Sequence, residues 1–245
     1  MYIIKLNAID STNSYLKELS AEKKLSNFTV VSTEYQINGR GQMGTTWESS
    51  KGKNLIFSVL VNFEELLITH RFYISMAVSL GIIATLNNQF DIKFKIKWPN
   101  DILAERDKVA GILIENTFRG INISQAVIGI GLNVNQTEFS NPLKNVTSLI
   151  NLSKKKTDKD LLLKQLIKNI QSQFLLLKEK KLKLLKDNYL KELYGYKINL
   201  NFIDINKNNF IGKIIGVDED GKLELLAKNK TIRKFNLKEI TFTNS

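Results

Sequence analysis

Residues 94–115 read FKIKWPNDILAERDKVAGILIE. Phe94 to Lys97 alternates apolar and basic side chains, the period of a half-buried strand. Trp98 precedes a proline and is therefore biased towards extended geometry, and Pro99 suits the second position of a β-turn over Pro99-Asn100-Asp101. Ile102 to Ala104 and Val109 to Glu115 then read as two strands joined across Glu105-Arg106-Asp107. AVIGIGLNVN (126–135) adds a further strand that ends in polar residues. Short turns join antiparallel strands, whereas parallel pairs need a crossover of a dozen residues or more. The stretch therefore predicts an α+β fold: a mixed or antiparallel sheet with helices on a face, not a doubly wound parallel sheet.

Working outward, YIIKL (2–6) reads as a strand leading to Ser11-Thr12-Asn13, residue types that cap helices, and then to a short helix with Tyr15, Leu16 and Leu19 on one stripe. Such a helix start is either a simple cap or a seat for a polar ligand group. FTVVSTEY (28–35) and NLIFSVLV (54–61) are strand-like. Between them lies QINGRGQMGTTW (36–47), with Gly39, Gly41 and Gly44 around Arg40. Glycine permits close approach of backbone to a ligand, so this loop is either an anion cradle or a wide hairpin connection. Thr69 to Phe90 reads as a mostly apolar helix. Its core, Phe72 to Leu86, is interrupted by Ser75, Ser79, Gly81 and Thr85, which makes it a buried helix rather than a membrane span. His70, near its start, reads as a surface or capping residue.

Residues 136–157 are loop-like, with a turn at Asn141-Pro142. Asp158 to Leu193 reads as helix in two pieces, with apolar residues at 161, 162, 166, 170 and 174, and Gly195 closes it. KINLNFID, NFIGKIIGVD, KLELLAK, TIRKFNL and EITF are then short strands, with turns at Lys207-Asn208-Asn209 and Asp220-Gly221. They predict a small five-stranded barrel. The division expected is a domain over 1–194 and a second over 195–245.

Composition narrows the chemistry. The 245 residues contain no cysteine and a single histidine, so thiolate and disulfide chemistry is excluded and His-based catalysis is disfavoured. The N-terminus lacks a basic stretch followed by a long apolar run, so a cytoplasmic protein is expected. The net charge of +12 invites a nucleic-acid partner. Its excess is concentrated in 151–194, where 12 Lys face 5 Asp and Glu; that is either a solvated helix face or a surface for an acidic partner.

Polar clusters interrupt the apolar pattern at Ser11-Thr12-Asn13, in the 36–47 loop, at Lys97-Trp98-Pro99-Asn100-Asp101, at Lys108 and at Asn133. Each lies at a strand end or a helix start, where a sheet would gather them into one site. There is no Ser-His-Asp or Cys-His set, no His-Glu-x-x-His motif and no Walker loop. The inventory is hydrogen-bonding groups, one loop arginine, a lysine and an aspartate. Such groups suit reactions at phosphorus, which rest on alignment and electrostatic stabilisation.

In this order and spacing, STN (11–13), EYQ-x-x-GRG-x-x-G-x-x-W (34–47), KWPNDIL (97–103), KVAGILIE (108–115) and G-x-G-x-N (129–133) resemble the biotin–protein ligases over nearly the whole chain. The resemblance implies a catalytic domain like those of class II aminoacyl-tRNA synthetases and lipoate ligases, followed by an SH3-like barrel. It implies activation of biotin by Mg-ATP to biotinyl-5′-AMP, with release of pyrophosphate. Transfer to one lysine of a carrier then follows, such as the biotin carboxyl carrier protein of acetyl-CoA carboxylase. By matching position, Ser11, Thr12, Asn13 and Gln36 look like binders of biotin. Gly39, Arg40, Gly41 and Gln42 look like the loop over the biotin carboxylate and α-phosphate, and Lys108 resembles the lysine that neutralises those two anions. Trp47, which ends the loop motif, looks like a further ligand-binding residue, and Asn100, Asp101, Gly111 and Asn133 look like adenylate-side residues, Asp101 also helping to place Mg2+.

The chain departs from the family pattern in the loop, where many members carry arginines and this one has Gln42, Met43 and Thr45. Ten residues precede STN, fewer than a winged helix needs, which resembles the monofunctional class without specific DNA binding. A monomer and a homodimer both fit. The rival readings are a lipoate or octanoate ligase of the same fold and a basic nucleic-acid-binding protein.

Overall fold

The computed structural model describes residues 2–140, 145–228 and 230–243; the turn expected at Asn141-Pro142 lies outside them. β1 (Tyr2–Leu6), β2 (Thr29–Thr33), β3 (Leu55–Asn62), β4 (Phe94–Lys97), β5 (Asp101–Ala104), β6 (Asp107–Arg119) and β7 (Asn122–Leu132) form one seven-stranded sheet in the order β1-β2-β3-β7-β6-β5-β4. Only β1 and β2 pair in parallel, joined over the helix α1 (Thr12–Glu22); the other neighbours are antiparallel. The mixed sheet expected from residues 94–115 is therefore present. The β6–β7 hairpin is longer than the sequence pattern indicated, because its outer end carries no alternation, with Thr117, Phe118 and Arg119 exposed in succession. The Trp98–Pro99 peptide is cis.

β3 shows how period-2 alternation divides the molecule. Phe57, Val59 and Val61 point into the main core, while Leu60 joins Leu16, Val31 and Val127 in a smaller cluster under α1. The main core packs α2 (Arg71–Gln89), α4 (Lys159–Lys178) and α5 (Leu182–Glu192) against the sheet. α2 has the length and hydropathy to cross a membrane, yet 67% of its apolar window is buried inside the fold. Gly81 lets α4 approach closely: a Cβ there would lie 2.6 Å from the Ile170 Cα. Asp158 caps α4 by accepting from the Asp160 and Leu161 amides. Leu162, Leu166, Ile170 and Phe174 are buried as the helical period predicted, but Leu161 is 56% exposed, one position off that stripe. A short helix, α3 (Leu149–Ser153), occupies part of the segment read as loop. It is capped by Ser148, and a single helical turn is too short to set a period.

The five C-terminal strands match the sequence reading one for one: β8 (Asn199–Asp204), β9 (Asn209–Val217), β10 (Leu223–Ala227), β11 (Ile232–Phe235) and β12 (Ile240–Phe242). They form an antiparallel sheet in the order β11-β10-β9-β8-β12, as an SH3-like module does. Lys207 (φ 63°) and Gly221 (φ 87°) turn the chain where expected. This sheet is not a free appendage. Phe202, Ile214, Leu223 and Phe235 belong to the same continuous core as α2, and the buried Trp98 indole donates to the Gly221 carbonyl at 2.9 Å.

Candidate active site

A cavity of about 410 Å3 opens on the α1 side of the large sheet, within the size range of small-molecule sites. Its wall brings together Ser11, Thr12, Asn13, Gln36, Arg40, Gly41, Gln42, Trp47, Asn100, Asp101, Lys108 and Gly111, twelve of the fourteen residues singled out by the sequence. Gly39 and Asn133 do not line it. Gly39 supports the loop from behind, since a Cβ there would meet the Trp47 carbonyl at 2.3 Å. Asn133 is 2% exposed and donates to the Thr147 carbonyl at 3.0 Å, bracing the end of β7.

At one end, α1 and β3 build a dense polar corner. Ser11 takes the cap position of α1 but makes no capping hydrogen bond, so the helix start is not a simple cap. Instead the Thr12 amide donates to Gln36 Oε1 at 2.8 Å, and Ser58 Oγ lies 2.7 Å from Thr12 Oγ1 and 2.6 Å from Asn13 Oδ1. Asn13 sits there only because Gly129 has no side chain: a Cβ would fall 2.5 Å from Asn13 Oδ1. A buried set of fixed donors and acceptors of this kind discriminates strongly against ligands that leave it unpaired.

Two residues further along β7, Gly131 pairs directly with Gly111 of β6. Their bare backbones form a shelf on which the Trp47 indole lies, with Cβ positions 2.3 and 3.0 Å from the ring. The 36–47 loop takes the hairpin form. It folds as a small hairpin, with Trp47 N donating to Gly39 O at 2.9 Å and Gly41 N to Thr45 O at 2.6 Å, and its flank lines the cavity. Arg40 pairs with Glu115 at 2.8 Å, and the same Glu115 oxygen accepts from Asn13 Nδ2 at 2.8 Å.

At the other end, a β-bulge decides where Lys108 points. Asp101 pairs with Gly111 and Ile102 with Ala110, but Leu103 pairs with Lys108, so Val109 is the extra residue. The shift in parity puts Lys108 on the face of Gly111, where its Nζ lies 2.6 Å from Asp101 and 5.5 Å from the Trp47 ring centre. Asn100 braces the turn by donating from Nδ2 to the Ile112 carbonyl at 2.9 Å. Lys97 also lines the cavity, and burial, with Lys108 nearby, holds its pKa below the usual lysine value against the opposing pull of Asp101. Among the described residues no group of three His, Asp or Glu could hold a metal alone. Asp101 supplies one carboxylate, which suits a Mg2+ carried mainly by nucleotide phosphates.

Sequence reasoning gave no role to Gly129 and Gly131, which line this wall, or to Ser58 and Glu115, which brace it from behind. The glycines had a signal, since residues two apart on a strand share a face. It missed the C-terminal contribution altogether: Leu237, Lys238, Ile240, Thr241 and Phe242 also line the cavity, and nothing local in their sequence marks them.

A mixed sheet whose cavity is rich in cations and fixed hydrogen-bonding groups defines a site suited to aligning substrates and neutralising their charge. The model of the biotin/lipoate A/B protein ligase family matches residues 6–133, and the chain belongs to that family. It is 28% identical over 239 residues to the bifunctional ligase/repressor BirA of Bacillus subtilis, covering 95% of this chain and 71% of that protein. It is 26% identical over 229 residues to the biotin–[acetyl-CoA-carboxylase] ligase of Mycobacterium tuberculosis, covering 91% and 82%. The biotin protein ligase of Aquifex aeolicus, solved in complex with biotin and ATP, superposes with a TM-score of 0.81 at 28% identity, covering 100% of this chain and 99% of that one.

Proposed function

We propose that this chain is an ATP-dependent biotin–protein ligase. A biotin carboxylate oxygen attacks the α-phosphorus of ATP, the bond to the β-phosphate oxygen breaks, and pyrophosphate leaves with the electron pair. The amine of a carrier lysine then attacks the acyl carbon of biotinyl-5′-AMP, loses a proton, and displaces AMP. The acceptor is a biotin carboxyl carrier protein of a biotin-dependent carboxylase. Residues 1–194 serve as the catalytic domain and 195–245 as the C-terminal module. The observation that carries this reading is the convergence of the sequence clusters on one cavity.

In this reading Ser11, Thr12, Asn13 and Gln36 hold the ureido ring of biotin, whose donors and acceptors match the polar corner. Arg40 and Lys108 offset the repulsion between the carboxylate and the α-phosphate as they meet. Trp47 on its glycine shelf, with Asn100 and Gly111, seats the adenylate, and Asp101 holds Lys108 in place and offers an oxygen to Mg2+. A preorganised cation at developing charge is worth about 3 kcal/mol, roughly two orders of magnitude in rate. Lys108→Ala is therefore expected to cut biotin-dependent ATP–pyrophosphate exchange about a hundredfold with an unchanged fold by circular dichroism; near-normal exchange would remove Lys108 from the mechanism. For the reaction itself the test is the same exchange with biotin and with lipoate, followed by transfer to a carrier domain. Exchange with lipoate and none with biotin would overturn the assignment.

A further inference from the structure

Lys238 is a cation that no part of the sequence reading assigned. It sits in the turn between β11 and β12, is exposed, and adopts φ 63°, a conformation that favours glycine. Its side chain reaches across to the 36–47 loop and donates to the Met43 carbonyl at 3.1 Å. No carboxylate among the described residues pairs with it, whereas the cavity's Arg40 and Lys108 are paired with Glu115 and Asp101. Lys238 therefore carries an unneutralised charge on the cavity wall beside Gln42, Met43 and Thr45, where the loop itself has no cation.

We propose that Lys238 binds the polyphosphate of ATP and stabilises the departing pyrophosphate, supplying from the C-terminal sheet a positive charge that the loop lacks at positions 42–45. This rests on the ligase reading above. When the bond between the α-phosphorus and the bridging oxygen breaks, negative charge accumulates on the β-phosphate. An ammonium group at that end is stabilising in the activation step. It has no role in the second step, when pyrophosphate has gone. Swinging from a neutral carbonyl to a phosphate costs Lys238 no ion pair, so the exchange favours the nucleotide.

The test uses the full chain with Lys238→Gly, which suits the backbone angle, and Lys238→Arg, which restores the charge. We expect Lys238→Gly to raise KM for ATP in biotin-dependent exchange about tenfold and to weaken ATP binding by calorimetry similarly, as loss of one charge-assisted hydrogen bond does. Biotin affinity and carrier biotinylation from preformed biotinyl-5′-AMP should not change, and Lys238→Arg should recover most of the ATP affinity. An unchanged ATP affinity in Lys238→Gly would overturn the proposal. So would equal defects in both variants, or a defect in transfer from the preformed adenylate, because each would mark Lys238 as a structural prop of the loop. Absence of exchange in the unmodified chain would refute the ligase reading instead, and the calorimetric comparison would still judge Lys238.

Discussion

Gly131 is the residue on which the Trp47 end of the cavity turns. With Gly111 it leaves a bare patch of sheet, and the Trp47 indole occupies the space that a side chain at 131 would need. Gly131→Ala is expected to lower stability by about 1–3 kcal/mol through overpacking and to weaken ATP binding, since the ring must shift off the shelf. Thermal unfolding and nucleotide titration check it; a variant as stable and as avid as the parent would show that Trp47 does not depend on this seat. Lys108 teaches a related lesson. Its place in KVAGILIE was legible, but plain alternation would have turned it away from Gly111. The bulge at Val109 that corrects its direction leaves no mark in the sequence.

The loop from Gln36 to Trp47 is an element with its own hydrogen bonds and, among the described residues, one ion-pair tether, Arg40 to Glu115. Both partners are partly exposed, so the pair contributes only about 0–1 kcal/mol to stability. Its consequence is positional: one Glu115 oxygen holds both Arg40 of the loop and Asn13 of the polar corner. In the ligase reading, a biotin carboxylate arriving at Arg40 would compete with Glu115 and so couple ligand binding to loop position. Glu115→Gln is expected to speed proteolytic cleavage of the loop severalfold without ligand, and biotin with ATP to suppress cleavage in parent and variant alike. Identical cleavage of the two free proteins would remove the tether. The elements were largely readable from their own periodicity, down to all five strands of the C-terminal sheet. The exceptions, α3 and the outer end of the β6–β7 hairpin, are short or solvated on both faces, so burial wrote no period into them.

Across the whole molecule, the two sheets share one apolar core and one cavity. The sequence showed a change of character near Gly195 and hence two modules. It did not show that Leu237 to Phe242 return to the site, because contacts as distant in sequence as Lys238 and Met43, 195 positions apart, carry no local signature. Phe202, Ile214 and Leu223 pack in the same cluster as Ile74 and Tyr189, so removing 195–245 would bare that surface. The truncated chain is expected to aggregate or to lose its cooperative melt, and the intact chain to unfold in a single transition. A soluble 1–194 fragment with a sharp melt of its own would separate the modules.

The chain has two tryptophans, Trp47 and Trp98, and both stand in the wall of the cavity. One lies on the glycine shelf beside Lys108; the other is hydrogen-bonded to the C-terminal sheet. Indole emission from this protein therefore originates at the site, from one ring in the loop and one at the seam between the sheets. The molecule carries its own optical probe, which reports on the loop and on the seam in one spectrum without a label.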